Sequence, residues 1–215
     1  STLFPYTTLF RSGVAAEFDA LHALLKTRYP QVHATLQREV VGAHSLLFTW
    51  TGSDPSLKPV ALMAHQDVVP IAPGTEALWK KPPFAGEVAD GFVWGRGTLD
   101  DKSNLITQLE ALELLVKAGV KPRRTIHFVF GHDEEVGGQR GVVPIVQLLK
   151  QRGVRLDWVL DEGLAVTHGV MPGVQQPVAL IGLAEKGSVS LKLTATAPPG
   201  HSSMPPGPGQ GAVGR

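Results

Sequence analysis

Cysteine is absent from the 215 residues, which excludes disulfides and thiolate metal sites, so any metal must be held by His, Asp and Glu. An excess of one charge is also lacking: Lys and Arg total 20 against 19 Asp and Glu. That balance leaves no electrostatic footprint for nucleic acid or another polyanion. No apolar run approaches the roughly 20 residues of a membrane-spanning helix. What is present is apolar content of 43%, enough over this length for one well-formed core, or one core and part of a second.

Residues 1–12 carry neither helical nor strand periodicity, and they lack the basic start and continuous apolar stretch of a signal peptide. From Thr2 to Ser12 they look like the translation of a common short-read sequencing adapter and are set aside from the fold as a tag would be. The true start of the protein is then expected to be missing, which leaves localisation open.

Beyond Ser12 strands alternate with helices. Residues 14–28 place Phe18, Leu21 and Leu25 on one helical stripe that Pro30 is expected to stop. Residues 45–51 and 59–64 read as short apolar strands, and residues 70–91, rich in Pro and Gly, as an ordered surface loop. Leu105, Ile106, Leu109, Leu112 and Val116 form a second stripe ending at Gly119. Residues 125–130 read as a buried-type strand, 142–151 as an amphipathic helix and 156–160 as another strand. The alternation predicts an α/β fold, a mostly parallel sheet covered by helices on both faces. The first domain is expected over residues 13–176. Paired strands at 177–183 and 187–197 then open a smaller α+β domain over 177–215. A chain that opens a domain there and stops reads as a fragment.

Polar clusters follow the apolar strands, where open α/β sheets bind ligands. They are His65-Gln66-Asp67, Gly131-His132-Asp133-Glu134-Glu135, Asp161-Glu162-Gly163, and Gly95-Arg96-Gly97-Thr98-Leu99-Asp100-Asp101-Lys102. Singly each has a plain explanation: a satisfied core histidine, a solvated acidic turn, or acids capping a helix N-terminus. Together they bring one His and at least four carboxylates to one expected sheet edge, a set that cations must neutralise. His and carboxylate donors without Cys suit Zn²⁺ or a similar dication.

The set His-x-Asp, Gly-Arg-Gly-x-x-Asp-x-Lys, Asp-Glu-Glu and Asp-Glu-Gly resembles the dinuclear zinc metallopeptidases, a family that includes carboxypeptidase S, aminoacylase and glutamate carboxypeptidase. Residues 94–102, 131–135 and Gly200-His201-Ser202-Ser203 are most similar to its carboxypeptidase S and N-acyl-amino-acid hydrolase branch. The resemblance runs from about Phe18 to Pro206 and implies a zinc-peptidase domain followed by a lid and dimerisation domain. It implies that His65 binds one of two zinc ions, for which Co²⁺ or Mn²⁺ could substitute, and that Asp67 orients its imidazole. Asp100 would bridge both ions, with a cis peptide to Asp101, and Glu135 would bind the ion opposite His65. The remaining ligand would be one of Asp161 and Glu162, with Asp161 favoured. Glu134 would be the general base, and His201 would reach into a partner subunit's site and polarise the scissile carbonyl. His22, His33, His44, His127, His132 and His168 match no ligand position. The family's last ligand, a His, and its substrate-carboxylate grip lie beyond this chain, so the fragment alone is expected to bind the second metal weakly and to have little or no activity.

The expected reaction is metal-dependent hydrolysis of an amide next to a free carboxylate, in a small peptide or an N-acyl amino acid. The alternatives are a dipeptidase or aminopeptidase-like hydrolase of the same fold, or a non-catalytic binding protein. The parent is expected to be a homodimer through the lid.

Overall fold

The computed structural model describes residues 14–163, 166–184, 186–187, 189–196, 203–204 and 207. Residues 1–12 and His201 lie outside them. The described elements are α1 (Val14–Arg28), α2 (Pro30–Thr35), β1 (Gln37–Val41), β2 (Ser45–Trp50), β3 (Val60–His65), β4 (Glu87–Ala89), β5 (Phe92–Trp94), α3 (Lys102–Lys117), β6 (Ile126–Gly131), α4 (Val142–Gln151), β7 (Val159–Leu160), β8 (Val166–Thr167) and β9 (Val178–Ala179).

Five strands form the central sheet in the order β1-β2-β6-β3-β7. β3 pairs in parallel with β6 and β7, while β2 is antiparallel to both β6 and β1. Four strands therefore point one way and β2 alone is reversed, which is the mostly parallel sheet expected. Alternation along the strands feeds two apolar layers. Leu46, Phe48, Ala64, Phe128 and Phe130 face Leu21 and Leu25 of α1, Val32 of α2, and Leu105, Leu109 and Leu112 of α3. Leu47 and Val129, one residue out of phase, face Ile145 and Leu149 of α4. Full burial of each such side chain contributes about 1.5–3 kcal/mol before entropy is charged against it.

Helices α3 and α4 end alike. After α3, Gly119 takes a positive φ of 74° and donates to Val116, while Val120 donates to Leu115. After α4, Gly153 (φ 71°) and Val154 repeat the pattern onto Lys150 and Leu149. Only glycine adopts that backbone without a Cβ penalty, and the paired bonds satisfy the last carbonyls.

Several local expectations change. Pro30 does not simply stop a helix; it is the first residue of α2, where its missing N–H costs nothing. β1 escaped notice because QREVV has no apolar run and is mostly exposed, as suits an edge strand. Within the stretch expected to be loop, β4 and the following β5 form a hairpin whose turn, Asp90-Gly91, has φ of 54° and 79° at its two residues. That pair is the Asp-Gly signature of a tight hairpin, and Ala89 and Phe92 flank it as cross-strand partners.

The chain divides into two compact units between Glu162 and Gly163, ahead of Pro177. In the second unit β8 pairs antiparallel with β9. The described residues of 187–196 form no strand, in place of the expected partner for 177–183, and Leu191 and Leu193 there are exposed. A strand needs a partner for its N–H and C=O groups and cover for its apolar face.

Candidate metal centre

β7, β3 and β6 are adjacent and parallel, so the residues after them gather at one edge of the sheet. His65 is the last residue of β3 and sits opposite Gly131 of β6. The fourth cluster arrives differently from the expectation. It follows β5, which belongs to a separate two-stranded sheet, and reaches the edge through the N-terminus of α3. The Asp100–Asp101 peptide bond is cis, as the resemblance implies. Asp101 is buried, and its Oδ2 accepts the His65 N–H at 3.1 Å. Burial, the largest influence, pushes its carboxyl up to about 6.

The His65 imidazole is the hub. Nδ1 lies 3.1 Å from the Asp67 carbonyl and 3.3 Å from Asp67 Oδ1. A proton on Nδ1 leaves Nε2 free to act as a ligand. Nε2 faces Asp100 Oδ1 at 2.9 Å, Glu162 Oε2 at 3.6 Å and Glu134 Oε2 at 3.8 Å. Burial alone would lower its pKa; the bond and charge of Asp67, then Glu162 and Asp101, outweigh it and carry His65 up to about 10. Asp67 does more than hold the imidazole. Its Oδ1 accepts the Glu134 N–H at 3.1 Å and its Oδ2 the Glu135 N–H at 3.0 Å. Although burial opposes ionisation, the bonds to His65, Glu135 and Glu134 hold this carboxylate below its ordinary range.

Of the acidic pair after β7, Glu162 joins the hub. His65, Asp100 and Glu162 present ligand atoms within 4.8 Å of one another, as do His65, Glu134 and Glu135. Asp161 instead turns back, its Oδ1 accepting the N–H of Glu162 at 2.9 Å. It still lines the cavity of about 140 Å³ with His65, Glu134 and Glu162, whose apolar wall includes Met63 and Val142. Burial first, then neighbouring acids, raises Glu134 and Glu135, while His65 pulls both back. The same balance brings Glu162 to about 7.

These residues fit a divalent ion. One imidazole nitrogen and several crowded carboxylates form a hard-to-borderline donor set. Glu135 Oε1 is buried with no hydrogen-bond partner in the protein, which a ligand oxygen would be. The field that makes His65 cationic would serve a dication equally.

Three supports were given no role by the linear motifs, although Lys102 closes one of them. Gln66, the unnamed middle of His-x-Asp, is fully bonded. Its Oε1 accepts from His22 at 2.8 Å, and its Nε2 donates to the His44 and Phe130 carbonyls at 2.9 and 2.8 Å. Ser45 Oγ lies 2.6 Å from His132 Nδ1, tying the start of β2 to the Glu134 loop. Lys102 donates from Nζ to the Gln66 carbonyl at 2.7 Å. Hydrogen-bonding residue types were the available clue, but their partners are 22 to 87 residues away.

Comparison with known proteins places the chain in a family. Residues 61–206 match the model of peptidase family M20/M25/M40. The chain is 53% identical over 180 residues to an N-fatty-acyl-amino acid synthase/hydrolase of Xenopus tropicalis, covering 83% of this chain and 35% of the relative. It is 41% identical over 196 residues to carboxypeptidase S of Saccharomyces cerevisiae, covering 88% and 33%. It thus spans about a third of the length of the curated relatives it matches. Among solved structures, an M20 family metallo-carboxypeptidase from Sulfolobus solfataricus superposes with a TM-score of 0.60 at 18% identity, over 76% of this chain and 36% of that one. With the family model matching most of the chain, and the motifs it matches meeting at one sheet edge, the chain belongs to peptidase family M20/M25/M40.

Proposed function

We propose that the protein to which this chain belongs hydrolyses an amide bond next to a free carboxylate, in an N-acyl amino acid or a small peptide, with two divalent ions, zinc by preference. The observation that carries this is the convergence of His65, Asp100 and Glu162 with Glu134 and Glu135 around one point. The names of the relatives, an N-acyl-amino acid hydrolase and a carboxypeptidase, support the substrate class.

His65 and Glu162 would hold one ion, Glu135 the other, and Asp100 both. Bound there, the ions would polarise the amide carbonyl and make the attacking water more acidic. Glu134 takes a proton from that water and returns it to the amine nitrogen as the C–N bond breaks. Two dications beside it would weaken this carboxylate as a base, but they would also acidify the water, so that the two pKa values can be matched for the first transfer. Asp67 keeps this base and the His65 ring in mutual register through three bonds of one carboxylate. His201, which lies outside the described residues, is assigned the carbonyl-polarising role of the motif it resembles, across a homodimer contact.

The test is on the full-length protein. N-acyl amino acids and N-blocked dipeptides should be cleaved, activity should vanish on chelation, and Zn²⁺ should restore it, with Co²⁺ or Mn²⁺ as substitutes. Cleavage confined to peptides with a free amino terminus would favour a dipeptidase or aminopeptidase instead. A full-length protein that binds no divalent ion would overturn the proposal.

A further inference from the structure

Lys102 is the buried cation beside the site that has no part in the reaction above. It is 3% exposed, and it stands as the first residue of α3, where the helix dipole disfavours a cation. On stability grounds alone, an apolar side chain of similar length would suit the position better. Its ammonium donates to the carbonyl of Gln66, the residue between His65 and Asp67. Its own N–H donates to the Gly97 carbonyl at 3.2 Å. Gly97 has φ +79° and packs so closely on Val68 that a Cβ would collide with it. One residue thus fastens the Gly97 loop, the start of α3 and the turn after β3. The carboxylates whose charge it feels are Asp67, Asp101 and Asp100.

Resting on the two-metal reading, we infer that Lys102 is a positioning residue of the metal centre, a buried tether that holds Asp100 against His65 so that the ligand set exists before a cation arrives. Two simpler roles give other outcomes. A cation that acted by charge alone would repel a dication, so its removal would tighten metal binding. A residue needed only for packing would take stability with it.

The experiment is Zn²⁺ titration of full-length protein against a chelating indicator, for wild type, Lys102→Met and Lys102→Arg, with melting measured in chelator. Lys102→Met should bind Zn²⁺ about 10–100-fold more weakly, the usual cost of losing an outer-shell partner, while its chelated melting temperature stays near wild type. Its turnover at limiting Zn²⁺ should fall and recover as free Zn²⁺ is raised. Lys102→Arg, with charge and donors kept, should bind more tightly than Lys102→Met. Unchanged or tighter binding in Lys102→Met overturns the inference, as does an unfolded protein or a large fall in melting temperature. Wild type that binds no Zn²⁺ at all would instead remove the two-metal reading beneath it.

Discussion

At Asp67 one carboxylate meets the His65 imidazole on one side and the N–H groups of Glu134 and Glu135 on the other. Glu134 and Glu135, the proposed base and the proposed ligand, are therefore set by the same anchor, although their side chains are expected to do different work. Glu134→Gln keeps size and most hydrogen bonding but removes basicity. In the full-length enzyme it should lower kcat by about 10²–10⁴-fold with metal content preserved. Glu135→Gln should instead lose metal, because a neutral amide is a poorer ligand for a dication. Steady-state kinetics beside metal analysis separates the two, and loss of zinc from Glu134→Gln would undo the assignment. After β7 the geometry favours the second acid of the pair. Glu162→Ala should weaken metal binding well beyond Asp161→Ala, since Glu162 Oε2 is 3.6 Å from His65 Nε2 while Asp161 bonds to the backbone. The reverse order in a metal titration would return the ligand role to Asp161.

Element ends show how far local chemistry reaches. α3 and α4 are stopped by glycines that follow the last apolar residue of each stripe, a signal written within a few residues. α2 has no such local device: Tyr29 makes no side-chain cap bond. Its first N–H groups, on Gln31 and Val32, are accepted at 3.0–3.1 Å by Glu113 of α3. A carboxylate from another helix thus does the work of an N-cap and complements the positive end of the dipole. Glu113→Ala should destabilise the protein by about 0.5–2 kcal/mol, the cost of losing an ordinary cap, in denaturant unfolding at constant m-value. A change below the error of that measurement would show that water replaces it.

Buried titratable groups set how the whole molecule answers pH. Burial is the main reason that His22, His33, His127 and His132 lie below their ordinary value of 6.5. The unfolded chain takes up these protons near 6.5 and the folded chain only at lower pH, so stability is lost as pH falls below that value. Glu162 has the opposite sign in metal-free protein. Its folded value is raised to about 7, chiefly by burial, so the stability gained by holding its proton is present in acid and lost as pH rises through about 7. With metal bound to Glu162 that compensation disappears. The melting temperature of Zn²⁺-loaded full-length protein should therefore fall more steeply between about pH 6.5 and 5 than that of chelated protein. Parallel slopes in a pH-resolved melting series would count against metal binding by the raised carboxylates, Glu162 among them.

Much of this protein was legible in one dimension because the physics is local. Helical stripes, short apolar runs and their glycine stops need only neighbours within a turn or a strand, and they yielded α1, α3, α4, β2, β3 and β6. The acidic clusters stood out because so many carboxylates in strand-end positions demand a cation. What the sequence by itself could not decide were matters of partner and distance. Which acid follows β7 into the hub depends on the direction its side chain leaves an edge strand. That the Gly95–Lys102 segment comes from a separate hairpin depends on sheet pairing. That Gln66, Lys102 and Ser45 brace the centre depends on hydrogen bonds spanning 22 to 87 residues. A side chain's bonding capacity is a property of its type, but its partner is a property of the packed chain, and only tertiary structure supplies it.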